Sequence, residues 1–115
     1  MSPAPLRVVV LVSGSGTNLQ ALLDGGSPHE QGYAVVAVGA DRPGTGGEER
    51  ARARGIPTFV VRVGDFGSRE EWDRTLTDAV ASHEPDLVVS AGFLKVLGPL
   101  FLARHRAINT HPALL

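Results

Sequence analysis

No cysteine occurs among the 115 residues, which excludes disulfide staples and thiolate metal sites and suits a reducing interior. Neither sign of charge is in excess: 11 Lys and Arg stand against 12 Asp and Glu, for a formal net charge of −1. A chain so balanced makes no electrostatic case for a nucleic-acid or membrane partner. Its arginines sit among acids, as in Glu48-Glu49-Arg50 and Arg69-Glu70-Glu71, which is the pattern of a solvated surface rather than a basic stripe. Long apolar runs are absent too. Leu6 to Val12 falls far below the ~20 residues needed to span a bilayer. Residues 1–7 lack the charged leader and small-residue cleavage site of a signal peptide. No two histidines have ligand spacing with a carboxylate, so no metal site is expected. His29, His83 and His105 fall in loop or helix-end surroundings and read as surface residues. There is no internal repeat, linker or low-complexity tract. These absences leave a soluble cytoplasmic protein, residues 1–115 in one domain with room for a modest core.

What is present alternates between two periodicities. Leu6–Val12, apolar at every position but Arg7, is continuous rather than alternating and reads as a strand buried on both faces. Asn18–Asp24 has helical spacing at Leu19, Leu22 and Leu23 and stops at Gly25-Gly26. Tyr33–Gly39 is a second strand, and a loop with Pro43, Gly44, Gly46 and Gly47 follows it. Glu48–Arg54 is a short helix closed by Gly55, with Pro57 preventing its continuation. Thr58–Arg62 is a third strand. Ser68-Arg69-Glu70-Glu71 is a capping box, opening a helix with Trp72, Leu76, Ala79 and Val80 on one face and ending before Pro85. Asp86–Gly92 is a fourth strand, Lys95–Arg104 an amphipathic segment, and Ala107-Ile108-Asn109 the start of a fifth strand. Strands alternating with helices predict an α/β fold: a doubly wound, Rossmann-like, mostly parallel sheet with right-handed crossovers and helices on both faces. The sequence stops at Leu115 with no helix to cover its last strand, so the expectation is the N-terminal portion of a longer domain whose C-terminal part is missing.

Two polar clusters sit where strands should end, the place where open α/β sheets bind ligands. In the first, Ser13-Gly14-Ser15-Gly16-Thr17-Asn18 runs from strand into helix. Free N–H groups and the positive end of the helix dipole would then surround one spot, with glycines admitting an anion close to the backbone. A tight strand-to-helix turn with a cap and no ligand would give the same pattern. No Lys-Ser/Thr pair follows Gly16, which excludes a Walker A loop, and Leu19 stands where a dinucleotide fingerprint needs its third glycine. A phosphate monoester therefore suits the loop better than a pyrophosphate. Asp41 lies farther along than a ribose-binding acid usually does and reads as a turn aspartate.

The second cluster is Asn109-Thr110-His111-Pro112. In an extended segment residues 109 and 111 share a side. Asn109 offers an amide donor to an oxygen gaining negative charge, and His111 a proton carrier near neutral pH. Pro112 fixes φ just after the histidine. The plainer alternative has Asn109 ending a strand and His111 making one structural hydrogen bond.

Three segments together, Ser13–Leu23, Ala91–Leu97 and Ile108–Leu115, resemble the phosphoribosylglycinamide formyltransferases, the folate-dependent family of purine synthesis also called glycinamide ribonucleotide transformylases. Asn-x-His-Pro is shared by formyl-folate enzymes generally, while Ser-Gly-x-Gly-Thr-Asn-Leu-Gln is more particular to this family. The resemblance implies formyl transfer from 10-formyltetrahydrofolate, as cosubstrate and without a metal, to the amine of glycinamide ribonucleotide. It implies Gly16, Thr17 and Asn18 at the ribonucleotide phosphate. Arg69, Leu94, Lys95, Val96, Leu97 and Asn109 would line the folate site, with Asn109 and His111 as the catalytic pair. Read blandly, Leu94, Val96 and Leu97 are core residues, Lys95 a surface cation and Arg69 a residue of a first helical turn. The family aspartate that partners the histidine lies downstream of the pair, beyond Leu115. The 115 residues alone are therefore expected to be poorly stable and catalytically silent. Neither nucleic acid nor membrane is an expected partner, and a homodimer is left open.

Other readings share part of the pattern. A formyltetrahydrofolate deformylase would release formate with no acceptor amine. A methionyl-tRNA formyltransferase would want a basic surface. A nucleotide-binding or regulatory α/β module without catalysis would bind phosphate but not folate.

Overall fold

In the computed structural model the chain alternates strand and helix: β1 (Leu6–Val12), α1 (Thr17–Leu23), β2 (Tyr33–Ala40), α2 (Gly46–Ala53), β3 (Thr58–Val60), α3 (Arg69–Ala81), β4 (Leu87–Ala91), α4 (Pro99–Arg104) and β5 (Ala107–Thr110), with a 3₁₀ turn at Val63–Asp65. The structure describes residues 4–13, 17–24, 32–91 and 97–110, and for 17, 18, 21, 91, 109 and 110 the backbone alone.

All strand pairs are parallel, in the order β3-β2-β1-β4-β5. The unbroken apolar run Val8–Val12 of β1 follows from its place in the middle. Val8, Val10 and Val12 pack into a cluster on one face with Leu19 and Leu23 of α1 and Ala51 of α2. Val9 and Leu11 turn to the opposite face, with Trp72, Leu76 and Val80 of α3 and Phe101 of α4. A strand buried on both sides has no position left for a polar residue. The expectation of a doubly wound sheet with helices on both faces is met.

One irregularity interrupts the register: Val8 pairs with Val35 but Val9 with Ala37. The extra residue in β2 puts Val36 and Ala37 against the same cluster, as a bulge does. At the other side of the sheet, β5 is paired through β4 and Ile108 is exposed.

The helix ends follow from local chemistry. Thr45 Oγ1 accepts the Glu48 N–H at 3.2 Å and Glu48 Oε1 accepts the Gly44 N–H at 3.0 Å, so α2 starts two residues before the expected Glu48. It stops where Gly55 turns to φ 70°, a conformation that suits a residue without Cβ. Ser68 Oγ caps α3 by accepting the Glu71 N–H at 3.2 Å, and the Glu71 carboxylate reaches back to the Gly67 N–H at 3.3 Å. The capping box is thus formed, with the returning bond one residue earlier than in the usual pattern.

Two surface expectations are corrected. His83 is half-buried and stacks on Phe59, ring centroids 5.5 Å apart. His105 is half-buried against Phe101, and its Nε2 lies 3.1 Å from the Thr77 carbonyl. His83 meets a strand residue 24 positions earlier and His105 reaches a carbonyl 28 positions earlier on α3, proximities that local sequence does not encode. His29 lies outside the described residues.

Candidate functional site

Because the strands are parallel, their carboxyl ends share one edge of the sheet. The register aligns three of those ends side by side: Val12 pairs with Ala91, and Ala91 with Thr110. The chain runs outward from β1 through β2 to β3, then returns to place β4 and β5 on the other side. The reversal falls between β1 and β4, which makes this edge the switch point where such folds bind ligands. The first polar cluster leaves β1 at this point and Asn109 lies in β5, two strands away, about 10 Å by ordinary strand spacing.

Of the phosphate-loop residues, Thr17 and Asn18 occupy the first two positions of α1, where backbone N–H groups lack helical partners. Gly16 lies outside the described residues. At the base of the loop, Ser13 Oγ donates to Asp41 Oδ2 at 3.2 Å. Asp41 is only 8% exposed, and among the described residues its Oδ1 accepts no hydrogen bond. Asp41 does open the turn after β2, as expected, but it is more than a turn residue. It is a buried carboxylate joining the carboxyl ends of β1 and β2.

Asn109 is held by the β4–β5 ladder opposite Ser90. His111 follows β5 and lies outside the described residues, as do Leu94, Lys95 and Val96.

Arg69 and Leu97, far apart in sequence, line one groove of about 580 Å³ together with Trp72, Asp73, Gly98 and Leu100. The groove lies between the starts of α3 and α4. Each of these helices begins after the carboxyl end of a strand, so the groove opens at the same end of the sheet as the polar loops. Arg69 Cζ lies 5.0 Å from the centroid of the Trp72 ring, a cation–π distance. Trp72 is itself fixed by full burial and by an Nε1–H bond to the Val61 carbonyl at 3.1 Å. Leu97 is half-buried and packs against the cluster around Trp72. The groove thus has an apolar wall of Trp72, Leu97 and Leu100 and a charged rim, where Arg69 stands beside Glu70 and Arg74, themselves paired at 3.3 Å. Such a lining suits a partly apolar ligand with a polar end. Among the described residues no cluster of His, Cys, Asp or Glu could hold a metal ion, and no helix is long and apolar enough to cross a membrane.

A family model described as formyl transferase matches residues 6–115. The chain belongs to this family. Over 114 residues it is 53% identical to the phosphoribosylglycinamide formyltransferase of Mycobacterium tuberculosis (strain CDC 1551 / Oshkosh), covering 97% of this chain and 52% of that protein. It is 40% identical to the Escherichia coli (strain K12) protein of the same name over 112 residues, 96% of this chain and 53% of that one. Among solved structures, the glycinamide ribonucleotide transformylase 1 of Symbiobacterium toebii superposes with a TM-score of 0.87 at 36% identity, over 96% of this chain and 53% of that one. The chain spans about half the length of the curated relatives it matches. The solved transformylase shares the fold of this chain.

Two residues escaped the sequence reading. Asp41 was read only as a turn residue, and Asp73, buried on α3, carried no motif at all. The one signal for Asp73 was an acid inside the apolar stripe of an amphipathic helix, next to Trp72.

Proposed function

We propose that this formyl transferase chain serves the transfer of a formyl group from 10-formyltetrahydrofolate to the amine of glycinamide ribonucleotide, a step of purine synthesis. The observation that carries this reading is the alignment of Val12, Ala91 and Thr110 at the switch point, in a chain of this family. A ribonucleotide phosphate held at Gly16, Thr17 and Asn18 leaves the amine end of the molecule free to reach the end of β5, about 10 Å away by strand spacing. The names of the relatives support the same acceptor. The folate lies across Leu94, Lys95, Val96 and Leu97, with Arg69 near its acidic end and Asn109 at its reacting end.

In the chemical step the amine nitrogen attacks the formyl carbon and the carbonyl oxygen takes the negative charge. Asn109 donates its side-chain N–H to that oxygen, a contact made fully only as the charge develops. His111 carries the proton that the attacking amine loses, and collapse of the intermediate expels the tetrahydrofolate nitrogen, which gains a proton. A cytoplasmic setting accompanies this reading and agrees with the absence of cysteine.

The test is formyl transfer by the intact protein, followed by folate absorbance with and without glycinamide ribonucleotide. Turnover that requires the ribonucleotide and vanishes in His111→Ala supports the reading. Formate release indifferent to the ribonucleotide replaces it with a hydrolase, and silence in both replaces it with a binding module. Asn109→Ala is expected to lower turnover on the order of a hundredfold while leaving the fold intact. Near-normal turnover in that variant would sink the role of Asn109.

A further inference from the structure

The start of α4 has no cap of its own. Gly98 occupies the N-cap position without a side chain and Pro99 follows it at the first helical position. Its free N–H groups are satisfied from another helix, 27 and 28 residues back in the chain: Asp73 Oδ2 accepts the Leu100 N–H at 3.0 Å and Oδ1 accepts the Phe101 N–H at 3.1 Å. Asp73 is 2% exposed, so both carboxylate oxygens are occupied by backbone amides in a buried setting. The approach is close. A Cβ on residue 98 would meet the Asp73 carboxylate, with Oδ2 2.2 Å away, which leaves room for glycine alone. At the far end of α4, His105 Nε2 lies 3.1 Å from the carbonyl of Thr77, one turn further along α3. The short α4 is thus joined to α3 at both of its own ends, through residues one turn apart on α3, and the Asp73 joint is the one that adjoins Leu97.

We propose that Asp73 is a positioning residue for the folate groove. It holds the start of α4, and with it the Leu97 wall, at a fixed separation from the Arg69–Trp72 wall. Of the residues that the resemblance assigns to the folate site, the two whose side chains the structure describes, Arg69 and Leu97, stand on the two sides of this joint. The ribonucleotide phosphate loop, on α1, is not part of it. The inference rests on the folate reading of the groove.

The experiment compares Asp73→Ala, Asp73→Asn and Gly98→Ala in the intact protein, measuring KM for each substrate and the binding of tetrahydrofolate by calorimetry. Asp73→Ala is expected to raise the folate KM about tenfold, the factor expected from losing a helix cap, while the ribonucleotide KM stays within about twofold. Asp73→Asn keeps one carbonyl acceptor and falls between. Gly98→Ala removes no hydrogen-bonding group, yet its Cβ would displace the Asp73 carboxylate from the two amides, so it reproduces the folate effect even where Asp73→Ala does not fold. Equal rises in both KM values, or a Gly98→Ala protein with wild-type folate affinity, overturn the inference while the folate reading stands. A wild-type protein that neither turns over nor binds tetrahydrofolate removes the folate reading, and the inference with it.

Discussion

Trp72 shows how much a single side chain carries in a chain with one tryptophan. It is fully buried, its Nε1–H bonds the Val61 carbonyl, and its ring lies under the Arg69 guanidinium. Trp72→Phe retains most of the apolar area but orphans a buried carbonyl, so it should cost about 1 to 3 kcal/mol in urea unfolding. An unchanged midpoint would mean that water replaces the lost donor. Ser13 and Asp41 pose a second residue-scale question. With Oδ1 unpaired among the described residues, the Ser13 hydroxyl is a donor that Asp41 can ill spare. Ser13→Ala is expected to lower stability by about 1 to 3 kcal/mol, and Ser13→Thr, which keeps the hydroxyl, to restore most of it. Equal stability of the two variants would assign the loss to something other than the bond. The importance of these residues was legible for Trp72, from helical spacing, and not for Asp41. Its burial depends on β1 and β2 lying side by side, with the partners 28 positions apart in the chain.

Elements were legible where local chemistry decides them. Gly55 closes α2 at φ 70°, so Gly55→Ala should cost about 1 kcal/mol in thermal or denaturant unfolding. Ser68→Ala should cost a similar amount, about 1 kcal/mol, through loss of the bond to Glu71 N–H at the start of α3. If Gly55→Ala were neutral, the left-handed turn would not be what ends the helix. The start of α2 was misjudged for an instructive reason. Gly46 and Gly47 look like loop residues, yet Thr45 and Glu48 form a reciprocal cap across them. Close packing demands glycine at 47, since a Cβ there would sit 2.6 Å from a methyl carbon of Val12. Composition suggested a loop at a place where the helix has begun and the packing needs a small residue.

For the whole molecule, the central fact is that one sheet edge brings the segment after β1 beside the ends of β4 and β5, which lie some 80 to 100 residues later in the sequence. A ligand that binds the folded edge but not the unfolded chain must stabilise the protein by mass action. Glycinamide ribonucleotide at a hundred times its Kd is expected to add about 2.7 kcal/mol to the intact protein, and to do so equally in the Asn109→Ala variant that has lost turnover. Loss of that stabilisation in Asn109→Ala would place Asn109 in ground-state binding rather than in stabilising the transition state.

The sequence by itself determined the order and type of the elements, because strand and helix periodicities, caps and glycine stops act over a few residues. It also determined the two polar motifs, since each is a run of neighbours whose chemistry depends on no distant partner. Only the tertiary structure decided that Arg69 and Leu97 line one groove and that Asp41 is buried beneath Ser13. It alone decided that Asp73 caps a helix 27 residues further on. Such contacts are set by which strands become neighbours and how helices pack across them. That outcome belongs to the whole buried core, not to any window of the chain.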